Sequence, residues 1–124
     1  MISSIKFIDA HIFIERWSNP RAEEFTNALQ REQHCTSVLV LAEVQHKLRK
    51  KKVKNVFEYL RGIMGAIKVH GVIQEDLFNA LKNPLDIGIN DKLHLAVMKR
   101  NKISTIVSYD TDFDQDQEIT REEL

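Results

Sequence analysis

The sequence is poor in the features that would mark an unusual class of protein. It has one cysteine, Cys35. A lone thiol cannot close an internal disulfide, so a disulfide-stapled framework is excluded and a reducing cytoplasm is compatible. The expected role of Cys35 is that of a small buried hydrophobe. No apolar run approaches the roughly 18 residues that a membrane-spanning helix requires. The N-terminus lacks a basic segment followed by an apolar core, so no secretory signal is expected. No linker, repeat or low-complexity tract interrupts the 124 residues, a length that suits one domain over 1–124.

Net charge is also missing: 18 lysines and arginines offset 18 acids. The charges are nonetheless segregated. Lys47, Arg49, Lys50, Lys51, Lys52 and Lys54 crowd one stretch, and Asp110, Asp112, Asp114, Asp116, Glu118, Glu122 and Glu123 crowd the C-terminus. Such segregation gives a basic patch and an acidic patch, so overall neutrality does not exclude a nucleic-acid partner. What the chain does have is apolar content, 43% of residues, enough for a globular core rather than disorder.

Ile5, Phe7 and Ile8 make the first stretch apolar enough for a buried strand, and Asp9 stands at its end. Ala10 to Trp17 reads as a short helical turn. Ser18-Asn19-Pro20 starts a helix, with Pro20 at its first position and Ala22, Phe25 and Leu29 at helical spacing to about Arg31. Cys35-Thr36-Ser37 is a brief strand, and Ser37 or Thr36 caps a helix that begins Val38 to Ala42 and dissolves into Lys and Arg near residue 50. Val53, Val56, Phe57, Leu60, Ile63, Met64 and Ile67 give a clear 3.6-residue period.

A short strand follows over 67–72, then a helix opened by Gln74-Glu75-Asp76 and stopped by Asn83-Pro84, with Ile73, Leu77 and Leu81 on one face. Asn90 is positioned to cap a helix from Asp91 to about Arg100, with Leu93, Ala96 and Val97 inward. Residues 104–109 form a second buried strand ending in Asp110, and Glu118-Ile119-Thr120 an edge strand. Strands separated by helices predict an α/β/α sandwich around a mostly parallel sheet.

Four acids fall where acids are awkward. Asp9 and Asp110 end apolar strands, Glu43 sits in an apolar helix start, and Asp91 opens a helix. In a parallel sheet the carboxyl ends of neighbouring strands form the ligand site, which would bring Asp9 and Asp110 together. Carboxylates that close repel unless a proton or cation lies between them. Mg²⁺ and Mn²⁺ prefer such oxygen ligands, and two ions about 4 Å apart activate water and stabilise the leaving oxygen of a phosphodiester. Each acid also has a plain structural explanation: a turn at Asp9 or Asp110, an i,i+4 pair with Lys47 for Glu43, a helix dipole for Asp91.

The segments Phe7-Ile8-Asp9-Ala10, Thr36-Ser37 through Ala42-Glu43-Val44, Asn90-Asp91-Lys92-Leu93-His94-Leu95-Ala96 and Ile106 to Phe113, in this order, resemble the PIN domain. The short VapC-type toxins match best in length. The resemblance implies an Mg²⁺- or Mn²⁺-dependent endoribonuclease with Asp9, Glu43, Asp91 and Asp110 on its acidic positions. Asp112 falls on a further, more variable acid and is expected as a metal ligand with Asp9, Asp91 and Asp110. Ser108 falls on a supporting position. His11 departs from the Asn often found there and is expected to support the site differently or to ligate a softer metal. The resemblance further implies a homodimer and a cognate antitoxin protein; the lone cysteine and the lack of a signal or membrane segment lead us to expect a cytoplasmic location.

Lys47, Arg49, Lys50 and Lys51 are then candidates for RNA phosphate contacts, with a solvated helix end as the plain alternative. Trp17, Tyr59 and Tyr109 suit base stacking or, more simply, packing. Glu43-x-x-His46 and Asp91-x-x-His94 share an acid-x-x-His spacing used by di-iron bundles, but the strand-like stretches oppose a bundle. His46 and His94 are expected to be packing or surface histidines. A receiver domain is disfavoured because Asp9 has no acidic partner in its loop and no lysine follows Tyr109. A PIN-like scaffold that binds RNA or protein without cutting stays open, as does an RNA-processing nuclease outside a toxin–antitoxin pair.

Overall fold

A computed structural model of the chain describes residues 3–124, the side chain of Ser3 excepted. Strand β1 (Ser3–Ile8) is followed by α1 (Ala10–Ile14), a 3₁₀ turn (Glu15–Trp17) and α2 (Pro20–Asn27). Then come β2 (His34–Ser37), α3 (Val38–Lys50), α4 (Val56–Ala66) and β3 (Lys68–His70). Helices α5 (Gln74–Lys82) and α6 (Ile89–Arg100) lead to β4 (Ile103–Val107), a 3₁₀ turn (Thr111–Gln115) and β5 (Thr120–Glu122). Among the described residues five strands, all parallel, lie in the order β3-β2-β1-β4-β5, and six α-helices flank them in a three-layer α/β/α sandwich.

The order reverses at β1. The chain steps outward from β1 to β2 and β3, then returns to lay β4 on the other side of β1. Such a reversal opens a crevice beyond the carboxyl ends of the two strands that flank it. Pairing of Ile8 with Val107 fixes the register there, so whatever follows each residue is brought together.

The centre is held by burial. Phe7, Ile8, Cys35 and Ile106 have no exposed surface, and β1 is covered on both faces. Ile12, Phe13, Val40, Val44, Leu48 and Val97 pack on it from α1, α3 and α6. Each large side chain fully removed from water contributes about 1.5–3 kcal/mol.

Most predicted elements form, with differences at their ends. Pro20 takes the first position of α2 as expected, with Asn19 as its cap, but the helix ends at Asn27, and Gln30 N donates to His34 Nδ1 in the loop beyond. Ser37 caps α3, accepting from Val40 N at 3.2 Å. Val53 lies outside α4, and Ile67 closes it as a buried residue leading into β3. The edge strand forms two residues later than expected, because pairing with β4 sets Thr120 opposite Thr105. Leu77 and Leu81 share a face of α5 with Ile73 just before it, and that face is largely exposed. Leu93 is half-buried, whereas Ala96 and Val97 point inward.

Helix α5 is fastened by a charge the sequence did not single out. Asp76 is fully buried. Its Oδ1 accepts from Arg100 Nε at 2.9 Å, and its Oδ2 accepts from Arg100 at 3.0 Å and from Ile73 N at 2.9 Å. Burial favours the neutral acid, but the Arg100 guanidinium and the Ile73 N–H outweigh it and hold Asp76 below the ordinary carboxylate range. Breaking one side of a buried pair strands the other charge. Asp76→Ala is expected to cost about 3 kcal/mol at pH 7, measured by urea unfolding. The wild-type contribution is present above the unfolded carboxyl pKa and is lost as pH falls. A loss below about 1 kcal/mol would assign the pair to the surface class.

Candidate functional site

The site is assembled from ends of elements. Asp9 ends β1 and caps α1, with Oδ1 accepting from Ala10 N at 2.8 Å. Its Oδ2 accepts from Ser108 Oγ at 2.7 Å, and Ser108 Oγ in turn accepts from Asp110 N at 3.0 Å. Asp9 is 5% exposed and Ser108 fully buried, so this relay locks the turn after β1 to the turn after β4. Asp110 Oδ1 accepts from Asp112 N at 2.9 Å, which starts the 3₁₀ turn and turns Asp112 back towards Asp110. Donor atoms of Asp91, Asp110 and Asp112 all lie within 4.8 Å of one another.

Helix α6 carries three residues to the site. Its cap is Gly88 rather than Asn90, so the helix starts earlier than expected and Asn90 is freed for another use. Asn90 Nδ2 donates to Glu43 Oε2 at 3.2 Å. Four residues on, on the same helix face, His94 Nε2 lies 2.9 Å from Glu43 Oε1. Glu43 therefore pairs with α6, and the expected alternative of an i,i+4 pair with Lys47 does not form.

His94 is a correction to the sequence-based expectation. It is buried, but it is no mere packing residue: its ring tilts against Phe7 at 5.8 Å, and Nε2 is also 4.0 Å from Asp9 Oδ1. Its Nδ1 is buried without a hydrogen-bond partner among the described residues. The signal available in sequence was the Asp91-x-x-His94 spacing, which places both residues on one side of the helix.

Asp9, Glu43, Asp91 and Asp110 all line one cleft of about 180 Å³, together with His11 and Lys47. His11 is exposed at its rim, and its charge is one of the influences that favour ionised Glu43. Arg49, Lys50 and Lys51 are exposed but do not line the cleft. Asp112 is exposed beside Asp110. Tyr59 donates to Phe13 O and Trp17 stacks edge-on against it, while Tyr109 accepts from Asn19, so these rings serve packing. A larger pocket of about 570 Å³ lies between α5, α6 and residues 115–118. Two of its lysines are committed, Lys92 to Asn83 O and Lys99 to Asp116, and the four acids do not reach it.

The electrostatics follow from the crowding. Burial pushes Asp91 up to about 6, and the charges of Asp9, Asp110 and Glu43 add to the rise while His94 opposes it. Burial also opposes ionisation of Glu43, but His94 and Asn90 outweigh it and hold Glu43 below its ordinary value. One acid of the cleft is thus ionised by its neighbours' donors, and another holds its proton up to about pH 6, below which a cation must displace it. An all-oxygen set of this kind fits a hard divalent ion.

This is a parallel α/β domain with an acidic cleft at the carboxyl edge of its sheet, built where the strand order reverses. The chain belongs to the PIN domain family, whose sequence profile matches residues 6–117. No curated protein matches the chain. Among solved structures, a chain of a toxin–antitoxin complex from Klebsiella pneumoniae superposes with TM-score 0.72 at 18% identity, covering 93% of this chain and 95% of the other. Mycobacterium tuberculosis VapC20, a sarcin–ricin-loop-cleaving toxin, gives 0.71 at 18% identity over 88% and 92%. A chain of the promoter-bound VapBC2 complex of Rickettsia felis gives 0.66 at 17% identity over 96% and 98%. At these identities the likeness is one of fold.

The raised pKa of Asp91 has a consequence for stability. Without metal, folded protein binds more protons than unfolded protein between the ordinary carboxyl pKa and about 6. Stability from this group is therefore present at low pH and lost as pH rises through about 6. In metal-free buffer at pH 7.5, Asp91→Asn should be more stable than wild type by on the order of 1–2 kcal/mol, read from urea midpoints. A variant that is less stable would show that burial and the neighbouring acids do not disfavour the Asp91 charge.

Proposed function

We propose that the chain is a divalent-metal-dependent endoribonuclease and the toxin of a VapBC-type toxin–antitoxin pair. The carrying observation is the convergence of Asp9, Glu43, Asp91 and Asp110 on one cleft in a PIN-family chain. Asp9, Asp91, Asp110 and Asp112 would hold Mg²⁺ or Mn²⁺. When bound, the ion supplies positive charge that offsets the acids and the phosphodiester.

The chain's own residues do the rest. Asp9 and Asp110, joined through Ser108, keep their carboxylates fixed beyond β1 and β4. Glu43, ionised and accepting one hydrogen bond on each oxygen, retains lone pairs that orient the attacking water. Lys47, on the cleft wall, meets an RNA phosphate that the acids alone would repel, and Arg49, Lys50 and Lys51 extend the positive surface along α3. His11 supports the site from the rim.

The same proposal entails an RNA substrate, a cognate antitoxin, a second copy of the chain and a cytoplasmic location. Phe57, Phe78 and Leu81 are exposed and available for protein contacts. Among the described residues, no helix is long and apolar enough to cross a membrane.

The test is cleavage of a mixed single-stranded RNA pool by purified protein with Mn²⁺ or Mg²⁺, beside EDTA and Asp9→Asn. Cleavage should require metal, and Asp9→Asn should lose more than the roughly 10–100-fold typical of outer-shell partners. Wild-type rates in Asp9→Asn would overturn the mechanism. A wild type that neither cuts nor binds Mn²⁺ would point to the non-catalytic scaffold.

A further inference from the structure

Glu43 reaches the cleft from α3, yet what holds it lies on α6. Its two oxygens are taken separately, Oε1 by His94 Nε2 at 2.9 Å and Oε2 by Asn90 Nδ2 at 3.2 Å. The donors are four residues apart on one face of a helix, so their separation is fixed by the backbone. A carboxylate held at two points cannot rotate about its last bond without losing one of them. Each oxygen still keeps a lone pair for a water or an ion.

Packing alone does not account for His94. It is 1% exposed and lies against Phe7, and a leucine could fill that space. The imidazole instead leaves Nδ1 buried and without a hydrogen-bond partner among the described residues. What histidine supplies and leucine does not is the Nε2 donor, aimed at Glu43 and 4.0 Å from Asp9.

We propose that His94 and Asn90 form a two-point clamp that sets the orientation of Glu43 over the cleft, making His94 a positioning residue of the site. The proposal rests on the function proposed above for its catalytic readout and goes beyond it in naming what aims Glu43. His94 touches neither substrate nor the reacting atoms. Its effect passes through Glu43.

The test compares wild type with His94→Leu, His94→Gln, Asn90→Ala, Glu43→Gln and the double variant His94→Leu/Glu43→Gln. Gln is the conservative variant because its Nε2 replaces the imidazole donor; Asn90 is exposed, so its removal spares the core. RNA cleavage, Mn²⁺ dissociation constant by calorimetry and metal-free melting temperature are measured on each. His94→Leu should lower kcat about 10–100-fold with KM little changed. His94→Gln should recover most of it, and Asn90→Ala should show a smaller loss in kcat. His94→Leu should add nothing once Glu43 is Gln.

A wild-type kcat in His94→Leu would overturn the clamp. So would an equal further loss in the Glu43→Gln background, or a failure of His94→Gln to recover at an unchanged melting temperature. If wild type cuts no RNA, the nuclease proposal fails, and the metal-free melting temperatures decide the clamp, since the Mn²⁺ constant is set by the other acids. A shift in His94→Leu/Glu43→Gln smaller than the sum of the two single shifts supports it; additive shifts overturn it.

Discussion

A carboxylate that is almost out of water must be held by donors or lose its charge. Asp9 meets this constraint at the place where the strand order reverses. It accepts from the α1 N-terminus and from Ser108, and Ser108 is oriented by the Asp110 backbone. The same bonds that make Asp9 tolerable fasten β1 to the turn after β4. Parallel pairing of Ile8 with Val107 makes this possible, and burial of Phe7 and Ile106 keeps that pairing in register. Packing, register and site chemistry thus meet at one residue.

The acids around Asp9 are treated unequally. Glu43 has two donors from α6 that outweigh its burial and stays ionised; Asp91 is pushed up to about 6 by burial, with the acids around it adding to the rise. This asymmetry gives similar side chains different affinities for a proton. It also explains why α6 starts at Ile89 with Asn90 inside it. Asn90 serves Glu43 rather than the helix end, and Gly88 takes the capping position.

Much of this was legible in the chain. The apolar runs ending in Asp9 and Asp110, the helix start at Pro20, the cap at Ser37, and the order of the acids identify both the fold and the four cleft residues. These signals are local or depend only on strand ends lying together. His94 and Asp76 were not legible, because each is defined by a distant partner: Glu43 lies 51 positions away and Arg100 lies 24 away. A histidine in mid-helix, or an aspartate in a helix's first turn, carries no local mark of that partner. The edge strand slipped by two residues for a similar reason, since its ends are set by pairing with β4 rather than by its own sequence.

The central proposal is that these acids form a site for a divalent cation and repel one another without it. Its most direct test is calorimetric titration of Mn²⁺ into metal-free protein at pH 7.5 and at pH 5. The account predicts saturable binding at pH 7.5 that weakens at pH 5, where Asp91 keeps its proton, and that is lost in Asp110→Asn. Absence of binding at pH 7.5, or equal binding in Asp110→Asn, would contradict it.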